Sequence, residues 1–106
     1  MSSDTLYHYI VVVRTLPLGV LAAQVCHAAG ESVSETVPVG THAVVLAARD
    51  EAHLREIYQN LITHGVKAHL VEEPDPPWHG AAMAIGITPC PRDAVRKLLS
   101  SLPLLR

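Results

Sequence analysis

Residues 7–14 read YHYIVVVR and are followed, after a short loop, by VLAAQVCHAAG at residues 20–30. The first stretch is β-branched and aromatic, and both alternating positions are apolar after His8, which predicts a strand buried on both faces. The second stretch consists almost entirely of small and apolar residues and predicts a helix running on towards Ser34. Because glycine costs about 1 kcal/mol relative to alanine inside a helix, we expect fraying near Gly30. A strand that feeds directly into an apolar helix is typical of α/β domains.

The rest of the chain continues this alternation. The predicted elements are strands at 41–48, 66–72 and 81–87 and helices at 51–63 and 92–102, the first capped by Asp50 and the second opened by Pro91. The two crossover units favour parallel neighbours, whereas the proline-rich loop at 73–79 can join an antiparallel pair. We therefore predict an α/β fold with the order β-α-β-α-β-β-α. It is a single three-layer domain over residues 7–106, with a mixed four-stranded sheet flanked by helices, after a flexible N-terminus at residues 1–6.

Composition narrows the class of protein. Hydrophobic residues make up 49% and charged residues 17%, so apolar side chains must cover both faces of a sheet. The net charge of −2 lacks the basic excess of a typical nucleic-acid-binding protein, so any RNA contact would be local.

The only two cysteines, Cys26 and Cys90, fit free thiols in a reducing compartment. With no secretory signal and no apolar run long enough for a bilayer, we expect a soluble cytoplasmic protein without a membrane partner.

One candidate site lies where the predicted strands end. Arg14 closes the first strand, and the backbone N–H groups around Gly19 and Val20 begin the first helix. An acidic group follows the third strand, at Glu72, Glu73 and Asp75. An arginine beside a helix N-terminus suits a phosphate or a carboxylate, although an ordinary solvated strand end would have the same sequence. Which acidic side chain faces such a site is not evident from the sequence.

The first helix carries a polar stripe. Gln24, His27 and Glu31 fall on one side of a helix that is otherwise apolar. Buried polar groups need partners, so His27 is either a general base or a histidine hydrogen-bonded for structural reasons.

Two further features could contact RNA. Trp78 is the only tryptophan and could either stack on a base or cap the edge of the core. Arg92, Arg96 and Lys97 lie near one side of the last predicted helix and could meet phosphates, although such a group is usually a solvated face.

Several classes of site are disfavoured. Cys26 and His27 are adjacent on a helix and point about 100° apart, which argues against a thiol nucleophile with its base. The histidines and cysteines show no paired spacing for a metal, and the first β-α turn has one glycine where a dinucleotide site needs three. We expect neither a metal nor a cofactor.

The opening motif resembles that of the type 2 peptidyl-tRNA hydrolases. In that family a hydrophobic strand ending in Arg is followed by a Gly-Lys turn, then Ala-Ala-Gln, two residues and His-Ala. Arg14, Gly19, Gln24 and His27 match this pattern by position, whereas Val20 stands where the family has lysine. The family's carboxylate, basic and hydroxyl groups after the third strand are replaced by an acidic, proline-rich stretch. In this respect the chain is most similar to the divergent branch called peptidyl-tRNA hydrolase domain-containing protein.

The resemblance implies cleavage of the ester between peptide and tRNA, and often a homodimer. Gln24 would orient the substrate, His27 would move protons, and Glu72 would be the carboxylate. Arg14, Gly19, Val20 and Trp78 would contact the substrate. Because the family's lysine after the turn glycine and its threonine hydroxyl after the third strand have no counterpart here, we predict weak hydrolysis. A catalytically degenerate binding or scaffold protein is the alternative, and a small-molecule hydrolase or transferase using the same pocket is a third hypothesis.

Overall fold

The computed structural model describes residues 5–106. The strands are β1 (Leu6–Val13), β2 (His42–Ala48), β3 (Ala68–Glu73), β4 (Ala81–Ile87) and the short β5 (Cys90–Pro91). The helices are α1 (Leu18–Glu31), α2 (Glu51–Thr63) and α3 (Arg96–Leu99), with a 3₁₀ turn at Arg92–Ala94. Part of the expected flexible N-terminus, residues 1–4, lies outside the described residues, and Leu6 already belongs to β1.

The sheet is mixed, as predicted, with the strand order β2-β1-β4-β3, and the short β5 pairs with β1 as a fifth strand where four were expected. β1 pairs in parallel with β2 and antiparallel with β4, and β3 pairs antiparallel with β4. The carboxyl ends of β1, β2 and β3 therefore lie at the same end of the sheet. β3 is an edge strand, as its polar sequence predicts.

Alternation along β1 divides the core into two layers. Tyr9, Val11 and Val13 pack with buried residues of α2 and α3, whereas Ile10 and Val12 pack with Ala28 of α1. β1 is thus covered on both faces, which is the three-layer arrangement that its sequence predicts.

α1 packs very closely on the sheet. Gly86 of β4 lies directly beneath the backbone of Ala28, and a Cβ built at Gly86 would overlap the Ala28 carbonyl oxygen. The hydroxyl of Ser32 donates to that carbonyl at 2.7 Å and lies 2.7 Å from Nε2 of His8 on β1. The helix continues through Gly30 and ends at Glu31, one residue beyond the expected fraying point.

α2 begins as predicted. The Asp50 carboxylate accepts from the backbone N–H of His53 at 2.8 Å, which is an N-cap bond. Leu54, Ile57 and Leu61 are the buried face of the helix. No helix among residues 5–106 is long and apolar enough to cross a membrane.

The C-terminal region differs from the expectation of one helix at 92–102. The chain instead forms β5 against β1, the 3₁₀ turn and then α3, which is four residues long. The backbone of Val95 has a φ of −128°, outside the helical range, and its side chain is buried in the core. The interruption of the helix therefore coincides with a β-branched residue that lies in the core.

The residues after α3 cover one edge of the sheet. The N–H of Ala47 donates to the Pro103 carbonyl, and the N–H of Leu105 donates to the Val45 carbonyl, both at 2.9 Å. β2 is therefore paired on both sides at its carboxyl half. Its first residues, His42 and Ala43, are exposed, and its last three residues are buried.

Candidate functional site

The alternation of β3 sorts its polar residues between the two helical layers. Val71 packs in the layer of α1, and Leu70 packs in the layer of α2. His69 contacts Glu31 of α1, and Glu72 contacts Arg55 of α2, as the period of two requires. Glu73 accordingly faces α1.

Glu73 forms the central contact of the site. Nε2 of Gln24 on α1 donates to Oε1 of Glu73 at 3.0 Å. The other carboxylate oxygen of Glu73 accepts from the backbone N–H of Asp75 at 3.3 Å, at the start of the loop after β3. Gln24 is 3% exposed, and this bond fixes its amide orientation, because the reverse orientation would put oxygen against a carboxylate.

The amide oxygen of Gln24, unlike its amide nitrogen, has no hydrogen-bond partner in the described residues. This oxygen, Oε1, is buried. A buried acceptor without a partner costs about 1–3 kcal/mol, so such an atom in a folded protein needs an explanation. An N–H or O–H group brought against this oxygen would satisfy it.

Glu72, the carboxylate expected to act with Gln24, is held elsewhere. Its Oε2 accepts from Arg55 at 3.0 Å on the α2 side of the sheet. Arg55 also donates to Glu51, whose carboxylate accepts the backbone N–H of Ala82 at 2.9 Å. That backbone bond, opposed by partial burial and aided by Arg55, lowers the pKa of Glu51. No pattern in the sequence identifies Arg55 as the partner of Glu72. Side chains alternate between the two faces along β3, however, and since Val71 faces α1, Glu72 must face α2 and Glu73 must face α1.

His27 lies one turn after Gln24. Its Nδ1 is 3.9 Å from Oε2 of Glu31, and Nε2 of His69 is 2.6 Å from Oε1 of the same carboxylate. The His27 side chain is 58% exposed, so it is not a histidine buried for structural reasons. The Glu31 carboxylate therefore lies between two histidines, His27 and His69.

The predicted substrate-binding residues lie at the carboxyl end of β1 and the start of α1. Arg14 is exposed, and its backbone N–H donates to the Ala48 carbonyl at 3.0 Å. Gly19 is exposed and Val20 is half-buried in the first turn of α1. No hydrogen bond or ion pair within residues 5–106 joins the Arg14 side chain to Gln24, His27 or Glu72.

Trp78 is half-buried in the loop after β3. Its backbone N–H donates to the Asp75 carbonyl at 2.9 Å, so its turn continues directly from the residue that binds Glu73. The loop is thus tied to the site through its backbone.

Cys26 is exposed and Cys90 is half-buried, and both are free thiols. Burial raises the pKa of the Cys90 thiol. Among residues 5–106 no group of three or more His, Cys, Asp or Glu side chains is arranged to hold a metal ion.

A profile of the family described as Peptidyl-tRNA hydrolase PTH2 matches residues 7–105. The chain belongs to this family. The match spans both the motif helix α1 and the end of β3, which carry the Gln24–Glu73 pair. Membership associates the protein with hydrolysis of peptidyl-tRNA and with translation at the level of the family.

Other comparisons concern the fold. No curated protein matches the chain significantly. The solved structure of a protein of unknown function from Agrobacterium tumefaciens strain C58 is similar, with a TM-score of 0.61 and 16% identity, covering 96% of this chain and 98% of that one. The architecture described above is therefore shared with a solved protein.

Proposed function

We propose that this peptidyl-tRNA hydrolase family member cleaves the ester between peptide and tRNA slowly, at the surface between α1 and β3. The observation that carries the proposal is the hydrogen bond from Gln24 to Glu73, which joins the motif helix to the acidic end of β3. It leaves the buried Gln24 Oε1 to accept from a substrate N–H or O–H group.

His27 is the proposed general base. It takes a proton from water as the water oxygen bonds to the acyl carbon, and the carbon–oxygen bond to the ribose then breaks. The same proton passes to the departing ribose oxygen, so the base is regenerated. The Glu31 carboxylate, 3.9 Å from His27 Nδ1, is the acidic group beside the proposed base.

Glu73 takes the carboxylate role that the sequence suggested for Glu72. It holds Gln24 through one oxygen and the following loop through the other. Arg14, with the start of α1 at Gly19 and Val20, is the proposed contact for a tRNA phosphate, and Trp78 is the proposed contact for a base.

The expected rate is low. Val20 supplies no ammonium group where the family has lysine, and no Ser or Thr occurs between Thr63 and Thr88. Removal of one group that stabilises a transition state typically costs about 10²- to 10³-fold in rate.

Single-turnover release of peptide from peptidyl-tRNA tests the proposal. Glu73→Gln and His27→Ala should each slow release about tenfold or more, because they remove a site carboxylate and the base. Glu72→Gln is the matched control: it changes the adjacent carboxylate on the other face and should leave the rate within about twofold. Release by the wild type no faster than by His27→Ala would exclude hydrolysis.

A second candidate function is peptidyl-tRNA or tRNA binding without catalysis. It is favoured by Val20, a half-buried apolar residue in the first turn of α1. Binding with no release above the His27→Ala level would support it. A phosphate contact at Arg14 predicts that Arg14→Ala lowers the slope of log affinity against log salt by about one unit.

A further inference from the structure

A groove lies in the helical layer opposite to the Gln24–Glu73 site. It has a volume of about 390 Å³ and is bounded by the first residues of β1, by β2 and by the segment from the 3₁₀ turn to residue 104. Tyr7 and Tyr9 line it together with Arg92 and Arg96, and the other lining residues are mostly apolar. A cavity of this size suits one small molecule.

The floor of the groove is aromatic. The rings of Tyr7 and Tyr9 are stacked with centroids 5.9 Å apart and an angle of 16° between their planes. The ring of His42, opposite Tyr7 on β2, lies 5.2 Å from the Tyr7 ring at an angle of 28° between their planes. Tyr7 is half-buried, so part of its ring faces the groove. Planar heteroaromatic groups pack well on such rings.

The charged lining of the groove is positive. Arg92 and Arg96 are both exposed, and no carboxylate side chain is among the described residues that line the groove. Arg92 and Tyr9 line the same groove, and the charge of Arg92 opposes the burial that raises the pKa of Tyr9. Guanidinium groups bind phosphate through paired hydrogen bonds.

We propose that this groove binds a nucleoside monophosphate, with the base against Tyr7 and the phosphate between Arg92 and Arg96. The aromatic floor accounts for the base, the two arginines account for the anion, and the volume accounts for a single nucleotide. Tyrosine hydroxyls can donate to and accept from the polar atoms of a base. A purely aliphatic anion would leave these hydrogen-bonding groups unused.

Titration with AMP, followed by calorimetry and by chemical-shift changes, tests the proposal. AMP should saturate the site, whereas adenosine and ribose 5-phosphate should each bind about fivefold more weakly or worse, because each lacks one recognised part. Arg92→Ala and Arg96→Ala should weaken AMP about threefold or more and leave adenosine unchanged. Tyr7→Leu, which keeps apolar bulk, should weaken AMP and adenosine by the same factor.

Lys97→Ala is the matched control. Lys97 is the neighbouring cation on α3 but lines a different cavity, so its loss should change AMP affinity by about twofold at most. An equal loss in Lys97→Ala and Arg96→Ala would reduce the effect to general attraction of an anion and overturn the proposal. So would absence of AMP binding at about 10 mM, a concentration that detects even millimolar affinity.

Two other occupants have distinct outcomes. If a CCA trinucleotide binds while AMP does not, the groove is a surface for an RNA chain and the proposal fails. If AMP does not bind and Arg92→Ala converts a dimer to a monomer in light scattering, a second copy of the chain occupies the groove. The proposed hydrolysis and the proposed AMP binding can fail independently, because Glu73→Gln should slow hydrolysis and leave AMP affinity unchanged.

Discussion

Nε2 of Gln24 lies 3.0 Å from Oε1 of Glu73, and this bond connects a helix to an edge strand 49 residues later in the chain. Among the described residues β3 pairs in the sheet only with β4, and α1 contacts its face through this pair and through Glu31 and His69. Together with the apolar packing of Val71 in the layer of α1, these two polar contacts hold the end of β3 against the helix.

A double-mutant cycle on the free energy of unfolding should measure the Gln24–Glu73 bond directly. Truncation of either residue to alanine should cost about 1–2 kcal/mol, and the pair should be coupled by a similar amount, because one partner is charged and the other is buried. The pair Gln24→Ala with Glu72→Ala is the control and should be additive. Coupling to Glu72 rather than to Glu73 would contradict the geometry.

Gly86→Ala should destabilise the protein by about 1–3 kcal/mol or more, because the added Cβ overlaps the Ala28 carbonyl and forces α1 away from the sheet. Gly30→Ala is the contrasting change: its Cβ meets nothing within 4 Å, so it should stabilise α1 by up to about 1 kcal/mol. Urea unfolding of both variants measures the difference. If Gly86→Ala did not lower the free energy of unfolding relative to Gly30→Ala, the close packing of α1 on β4 would be contradicted.

Stability should fall as the pH is lowered from about 6.5, the usual pKa of histidine, because burial lowers the pKa of His8 in the folded protein. The unfolded chain then binds a proton more readily than the folded chain, so protonation favours unfolding. Ser32 donates to Ala28, so its oxygen accepts from His8 Nε2–H in the neutral form. His8→Gln keeps a donor but does not titrate. The difference in unfolding free energy between wild type and His8→Gln, measured at pH 7.5 and 5.0, should shift in favour of His8→Gln at the lower pH.

Val20→Lys should raise the rate of peptidyl-tRNA cleavage if the proposed site is the hydrolytic one. An ammonium group in the first turn of α1 can stabilise developing negative charge, so we expect an increase of about tenfold or more in kcat/KM. Leu18→Lys is the control, because it adds the same charge two residues earlier at an exposed position. Equal stimulation by the two variants would indicate general attraction of tRNA, and no stimulation by either would count against the lysine role.

Much of the fold follows from patterns that the sequence states strongly. β1 is apolar at successive positions because both its faces are covered, and α2 has an acidic cap and three buried residues at helical spacing. The C-terminal helix predicted at 92–102 is present only as the 3₁₀ turn and the four-residue α3, because Pro91 of β5 pairs with Leu6 of β1 and Val95 enters the core. Both are long-range contacts that local propensity does not contain.

The candidate site was predictable as a group of segments but not as a set of contacts. The stripe of Gln24 and His27 on α1 follows from helical spacing, and the acidic stretch follows from its place after β3. Arg55, which holds Glu72 on the other face, lies on a different element and has no sequence pattern that links it to β3. Side-chain partners across layers depend on tertiary distances, so Glu73 could be distinguished from Glu72 only through the parity of the strand.

The two edges of the sheet are protected from aggregation in different ways. Residues 103–105 hydrogen-bond along β2, whereas β3 is lined by His69, Glu72 and Glu73 and carries no such cover in the described chain. Charged side chains on an open strand oppose pairing with another molecule. The carboxylates at the end of β3 therefore also oppose pairing of this edge with a second molecule, and exchange of both for apolar residues would remove that protection.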